Sequence, residues 1–189
     1  MFTRQVAPGI DLRLIQPRDA EEIFAVVERN RAYLREWLPW VDYTESSEDV
    51  RRFSERVRNQ FENNQGPQAA VRLDGNIVGA LGCHPIDWSN RHCSIGYWLE
   101  AGRQGRGLMT QCCAEFLDYL FDDLGLHRVT IQCGVGNARS CAIPKRLGFS
   151  REGVMRQAEW VNDRWVDLVV WGSLEQEWRS RRQGGGPEK

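Results

Sequence analysis

No apolar stretch of the 189-residue sequence reaches membrane-spanning length, and the opening MFTRQVAPGIDLRL lacks the charged-then-hydrophobic pattern of a signal segment. A cytoplasmic protein is the expectation. Neither charge sign is in excess, with 25 basic against 26 acidic residues, which argues against nucleic acid or an anionic membrane as principal partner. Any anion site has to be local. The six cysteines (Cys83, Cys93, Cys112, Cys113, Cys133 and Cys141) include no CxxC pair and no zinc-ligand spacing. They read as reduced core residues, and no metal is expected. The three histidines, His84, His92 and His127, show no partner spacing and read as core or surface residues. No repeat of fixed period occurs.

What is present is enough apolar material for a folded core: 41% hydrophobic residues, with eight Trp and seven Phe. The length suits one domain over residues 1–182, with the glycine-rich tail 183–189 expected to be disordered. IDLRLI alternates as a strand and leads into a helix through Ile23, Val26 and Val27. Pro39 breaks REWLPW, and a helix is predicted from about Ser46 to Asn63, with Val50, Phe53, Val57 and Phe61 on one face. QAAVRL and IVGALGCH flank Asp74-Gly75-Asn76 as a hairpin, and HCSIGYWL is the next strand, with Gly96 a candidate bulge or close-approach point.

Helix Leu108–Leu124, strand RVTIQCGV and a short helix Ser140–Leu147 follow, and two strands about an Asn162-Asp163 turn lead to a last helix. This order predicts a mixed α+β fold rather than a doubly wound one.

The stretch EAGRQGRGLMTQCCAEF sets glycines and arginines directly before a helix. Backbone N–H groups at such a start converge on one point and the helix dipole favours an anion there, so a phosphate site is predicted. The competing reading is a solvated turn whose glycines serve only a positive φ. A nucleotide P-loop would need Gly-Lys-Ser/Thr, whereas Leu108-Met109 follow Gly107. A dinucleotide fingerprint would need a third glycine where Thr110 stands.

Taken in order, GYWLEAGRQGRGLMT, NARSCAIPKRLGFSREG and RQAEWVNDRWVDLVVW resemble the GNAT acyltransferases, and within them the RimJ/RimL branch of ribosomal-protein N-terminal acetyltransferases. With REWLPW and IDLRLIQPRDAEEI the similarity covers most of residues 1–178. It implies a mostly antiparallel twisted sheet of about seven strands, splayed in the middle and flanked by helices. It also implies acetyl-CoA as cofactor, held by Tyr97, Trp98 and Leu99 at the splayed edge, by Arg103, Gln104, Gly105, Arg106, Gly107, Leu108, Met109 and Thr110 in the loop, and by Asn137 and Ser140. The sequence departs from the family at Gly102, where a Gln or Arg is usual, and at Pro144, where many members carry a tyrosine that protonates the leaving thiolate.

The resemblance makes Ser140 the candidate proton donor to that thiolate, although as plain sequence it is also a good helix N-cap. Asn137 is read as a pantetheine contact or a turn residue. Glu159 is the candidate base, or else a solvated strand residue; Asp167 is read as a structural hydrogen-bonding partner. At pH 7 about one α-amine in ten is neutral, against about one lysine in 2,500, so a protein N-terminus demands least of such a base.

Trp37, Trp40 and Trp160 are candidate walls of the acceptor cleft, with core packing the alternative for Trp37 and Trp40. The expected reaction is acetyl transfer to a primary amine, foremost the N-terminal α-amine of a protein such as a ribosomal protein. The alternatives are a small amine (polyamine, amino acid or aminoglycoside), a non-catalytic CoA-binding protein and an NAD-dependent oxidoreductase. Family members often pair through sheet edges, which makes a homodimer a further expectation.

Overall fold

Alternating side chains in IDLRL and QAAVRL place Leu12, Leu14, Ala69 and Val71 on buried positions, and the strands that carry them pair antiparallel. The computed structural model describes residues 2–184. The strands are β1 (Thr3–Ala7), β2 (Ile10–Leu14), β3 (Gln68–Leu73), β4 (Asn76–Cys83), β5 (His92–Leu99), β6 (Arg128–Gly134), β7 (Ser150–Val161) and β8 (Arg164–Leu174). The helices are α1 (Ala20–Arg29), α2 (Arg31–Leu34), α3 (Ser47–Glu62), α4 (Leu108–Asp118), α5 (Ala138–Arg146) and α6 (Glu175–Gly184). The fold is mixed α+β as expected.

One eight-stranded sheet runs in the order β1-β2-β3-β4-β5-β6-β8-β7, antiparallel except between β5 and β6. The strand beyond the expected seven is β1, a short edge ribbon hydrogen-bonded to β2. The parallel pair is the feature that matters for function. Its register ends at Ile95↔Ile131, yet β5 continues along β4 to Leu99 and β6 continues along β8 to Gly134. The two strands therefore part in mid-sheet. The β4–β5 ladder carries no register shift, so the opening arises without the bulge expected at Gly96.

Each face of the sheet is covered. On one, α4 buries Phe116, Leu117 and, in the wider π turn Tyr119–Asp123 that continues it, Phe121. Enclosing each such side chain contributes roughly 1.5–3 kcal/mol. On the other, α1 and α3 contribute Ile23, Val27, Val50 and Val57. Ser46 caps α3 in a reciprocal box with Asp49, whose carboxyl is pushed down to about 2 by the Ser46 hydroxyl and Arg52. Helix α6 is tied to α4 by the Trp178 indole donating to Asp118 at 2.8 Å. It runs to Gly184, so the first two residues of the expected tail belong to a helix, and residues 185–189 lie outside the described residues. Among the described residues no helix is long and apolar enough to cross a membrane.

Candidate active site

A cavity of about 980 Å³ opens where β5 and β6 separate, and the loop before α4, the first turns of α5 and the α2–α3 segment close around it. Its walls carry Tyr97, Trp98 and Leu99, the loop residues Arg103, Gln104, Gly105 and Gly107, then Leu108, Met109 and Thr110. Asn137, Ser140, Glu159, Trp37 and Trp40 line it as well. Two expected residues are not among its walls. Arg106, between the two glycines, is exposed. Trp160 is 49% exposed and packs edge-on against Trp165. It directly follows Glu159 on β7, and neighbours on a strand face opposite sides, so the two cannot share one wall.

The loop is built around two left-handed positions, Gly105 with φ +75° and Gly107 with φ +76°. Gly107 is the N-cap of α4, and no side chain caps that helix. Its first-turn N–H groups are thus left for a ligand, at the positive end of the dipole. A Cβ at Gly105 would meet nothing within 4 Å, so the space beside the loop is open to the approach of a bulky anion. Gln104 is fixed by its amide, which donates to the Leu99 carbonyl at 3.2 Å and to the Tyr33 hydroxyl, and Arg139 of α5 donates to its oxygen at 2.9 Å. Arg139 and Arg146, which sequence reasoning passed over, bring α5's positive charge to the same cavity. Gly102 sits in a short turn, 101–103, with nothing near its Cβ position, so no side chain there takes up the family contact.

The opened strand offers amides of its own. The Ser94 carbonyl and the Glu100 amide both bond toward β4, and hydrogen-bonding direction alternates along a strand. Tyr97 and Leu99 therefore direct their N–H groups into the opening, while the Trp98 backbone belongs to the β4 ladder. Trp98 contributes its side chain instead, tilted against Trp40 with centroids 6.0 Å apart. Trp37 is held between Arg164, 5.4 Å from the ring centroid, and Gly134, where a Cβ would stand 2.9 Å from the ring. Trp37 and Trp40 thus pack and line the cavity together.

Ser140 lies in the first turn of α5, and the N-cap is Asn137, not Ser140 as expected: the Asn137 Oδ1 accepts the Ser140 N–H at 3.1 Å. The serine hydroxyl is therefore free of capping duty. Its Oγ stands 3.2 Å from the Cys133 Sγ and 3.4 Å from the Tyr97 hydroxyl. Burial pushes the Cys133 thiol up to about 12, against the smaller opposing effect of the Ser140 hydroxyl, so it is a poor nucleophile. All six cysteines are free thiols, five of them buried.

Glu159 is half-buried, and desolvation raises its carboxyl above the ordinary range. A bulge aims it. Between Met155↔Leu168 and Glu159↔Val166 strand β7 holds surplus residues, Gln157 adopts φ +49°, and its N–H donates to the Asp167 carboxylate at 2.7 Å. Asp167 has the structural role read from the sequence. Among the described residues no cluster of His, Cys, Asp and Glu could hold a metal ion.

A bare helix start, an opened parallel strand pair, a hydroxyl and a raised carboxyl thus meet at one cavity. Residues 10–150 match the acetyltransferase (GNAT) domain, and the chain belongs to that family of acetyltransferase enzymes. Among curated relatives, the putative ribosomal N-acetyltransferase YdaF of Bacillus subtilis (strain 168) is 34% identical over 183 residues, 96% of this chain and 100% of that protein. RimL, the ribosomal L7/L12 alpha-N-protein acetyltransferase solved in complex with coenzyme A as a cysteine disulfide, is 25% identical with a TM-score of 0.88 over 92% of this chain and 98% of that one. The microcin C7 self immunity acetyltransferase MccE, solved with acetyl-CoA and AMP, is 28% identical with a TM-score of 0.84 over 89% and 94%.

Proposed function

We propose that the protein transfers an acetyl group from acetyl-CoA to the N-terminal α-amine of a protein, with a ribosomal protein the first candidate. The observation that carries this reading is that the uncapped start of α4, Ser140 and Glu159 line one cavity at the β5–β6 opening. The site fits the cofactor: the first-turn amides of α4 receive the pyrophosphate, with Arg139 and Arg146 on the facing helix. Bound there, acetyl-CoA supplies an acetyl group activated as a thioester.

The chain's own groups then divide the work. The Tyr97 and Leu99 amides stabilise the negative charge that develops at the acyl oxygen. Glu159 takes the proton of the attacking amine, directly or through one water, and its raised pKa makes it a better base than an ordinary carboxylate. Ser140 Oγ–H donates toward the departing sulfur, the task that Pro144 cannot perform in the place of a tyrosine. Likeness to MccE keeps a small amine as the second reading of the acceptor.

The test is thiol release from acetyl-CoA with serine- and alanine-starting peptides, polyamines, aminoglycosides and aminoacyl nucleotides, run for the parent protein, Ser140→Ala and Glu159→Gln. The expected result is turnover on the peptides, with kcat lowered about a hundredfold by either substitution. In the parent, kcat/KM should fall as pH drops through the raised pKa of Glu159, and Glu159→Gln should abolish that acidic limb. The sign for stability is opposite. A carboxyl raised by folding contributes stability below its unfolded pKa and loses it as pH rises, so Glu159→Gln should be at least as stable as the parent at pH 7.5. Turnover confined to small amines would select the second reading, and unchanged kcat in both variants would remove Ser140 and Glu159 from the mechanism.

A further inference from the structure

A proline inside α5 deprives the helix of one of its own hydrogen bonds. Pro144 is buried and stands four residues after Ser140, where an ordinary residue would donate its N–H to the Ser140 carbonyl. Another element supplies a donor to that oxygen: the Tyr97 hydroxyl of β5 donates to the Ser140 carbonyl at 3.0 Å. The Ser140 amide is already taken, at 3.1 Å, by the Asn137 cap. The peptide groups on both sides of the serine are thus pinned from outside the ordinary helical pattern.

We propose that Tyr97 is a positioning residue: its hydroxyl replaces the amide that Pro144 lacks and so holds the first turn of α5, and with it the Ser140 Oγ, against the β5–β6 opening. Tyr97 lies two residues past Ile95, where the parallel register stops, so its ring spans from the opened strand to the helix. Burial, reinforced by the nearby Cys133 and Cys113 thiols, keeps the phenol protonated far into alkaline solution, so the donor is constant over the working pH range. A displacement of the serine by a fraction of an ångström is enough to matter, because transfer to a departing group requires close approach.

The inference rests on the reading of Ser140 as proton donor, and a double-mutant cycle separates the two. Tyr97→Phe, Pro144→Ala and the double variant are compared with the parent in acetyl transfer to a serine-starting peptide and in urea unfolding. Tyr97→Phe keeps the ring and its packing and removes the hydroxyl alone, with its bond to the Ser140 carbonyl at 3.0 Å and its longer contact with the Ser140 Oγ at 3.4 Å. It should lower kcat about tenfold, the scale of one lost hydrogen bond, with KM for acetyl-CoA changed by less than about twofold. Pro144→Ala restores an amide at the right place. In that background Tyr97→Phe should cost less than about twofold in kcat, and its effect on the unfolding midpoint should shrink in parallel.

An equal loss in both backgrounds, in kcat and in the midpoint, overturns the proposal, as does an effect on KM alone. Ser140→Ala is run beside them. If it leaves kcat unchanged, the proton-donor reading fails, while coupling of the other two substitutions in the unfolding midpoint still upholds the Tyr97–Pro144 relation.

Discussion

Helices α4 and α5 each follow one strand of the parallel pair and line the same cavity, and they are finished in opposite ways. The start of α4 has a left-handed glycine for an N-cap and no side chain on its amides. The start of α5 has Asn137 bonded to the Ser140 amide, and the Tyr97 hydroxyl bonded to the Ser140 carbonyl. One helix end has no side chain on its amides; at the other, one amide and one carbonyl of the first turn are bonded by side chains of the chain itself. The difference separates a binding surface from a support: uncommitted amides attract an anion, whereas committed ones fix the position of a side chain carried between them.

The contrast can be broken by giving α4 the finish of α5. Gly107→Asp places a carboxylate at the bare helix start, in a left-handed conformation that Asp tolerates better than most residues. The fold should survive, since nothing but the end of the Gln111 side chain lies within 4 Å of a Cβ there. Acetyl-CoA should suffer both from filled amides and from like charge, so its KM should rise about a hundredfold, roughly 2.7 kcal/mol, with the unfolding midpoint little changed. Steady-state kinetics and urea unfolding check the two halves. Retained KM would mean that the α4 amides bind nothing.

The reverse change sharpens the same contrast and is smaller. Asn137→Ala strips the cap from α5, which should cost about 1 kcal/mol of stability and lower kcat severalfold as Ser140 loosens, with KM for acetyl-CoA within about twofold. An equal loss of affinity would show that Asn137 holds the cofactor as well as the helix.

Much of this arrangement was readable in the sequence, because it depends on local chemistry. Gly105-x-Gly107 ahead of an amphipathic segment announces a bare helix start, and Asp74-Gly75 announces the β3–β4 turn. Ser140 and Glu159 line the cavity to which motif order assigned them. What failed depended on parity or on distant partners. Trp160 was read as a wall of the acceptor cleft, yet it directly follows Glu159, which lines the cavity, and adjacent strand residues face apart.

Ser140 looked like a cap because serine caps well, yet Asn137, three residues earlier, caps equally well and took the position. The short ribbon β1 has only weak alternation, and Phe2 beside it earns its burial by packing edge-on against Phe116 and Tyr119, 114 and 117 residues away. Pro144 was read from the sequence only as the loss of the family's tyrosine; that Tyr97 bonds the carbonyl left without its helical donor is a fact of tertiary structure.

The most direct measurement is a calorimetric titration of the parent protein with acetyl-CoA and, separately, with S-acetylpantetheine, which keeps the reactive arm and lacks the pyrophosphate and nucleotide. If the uncapped start of α4 binds the pyrophosphate, acetyl-CoA should bind about a hundredfold more tightly, and Gly107→Asp should bring it down to the level of the fragment. Equal affinity for the two ligands, or an advantage that Gly107→Asp leaves intact, would contradict the account.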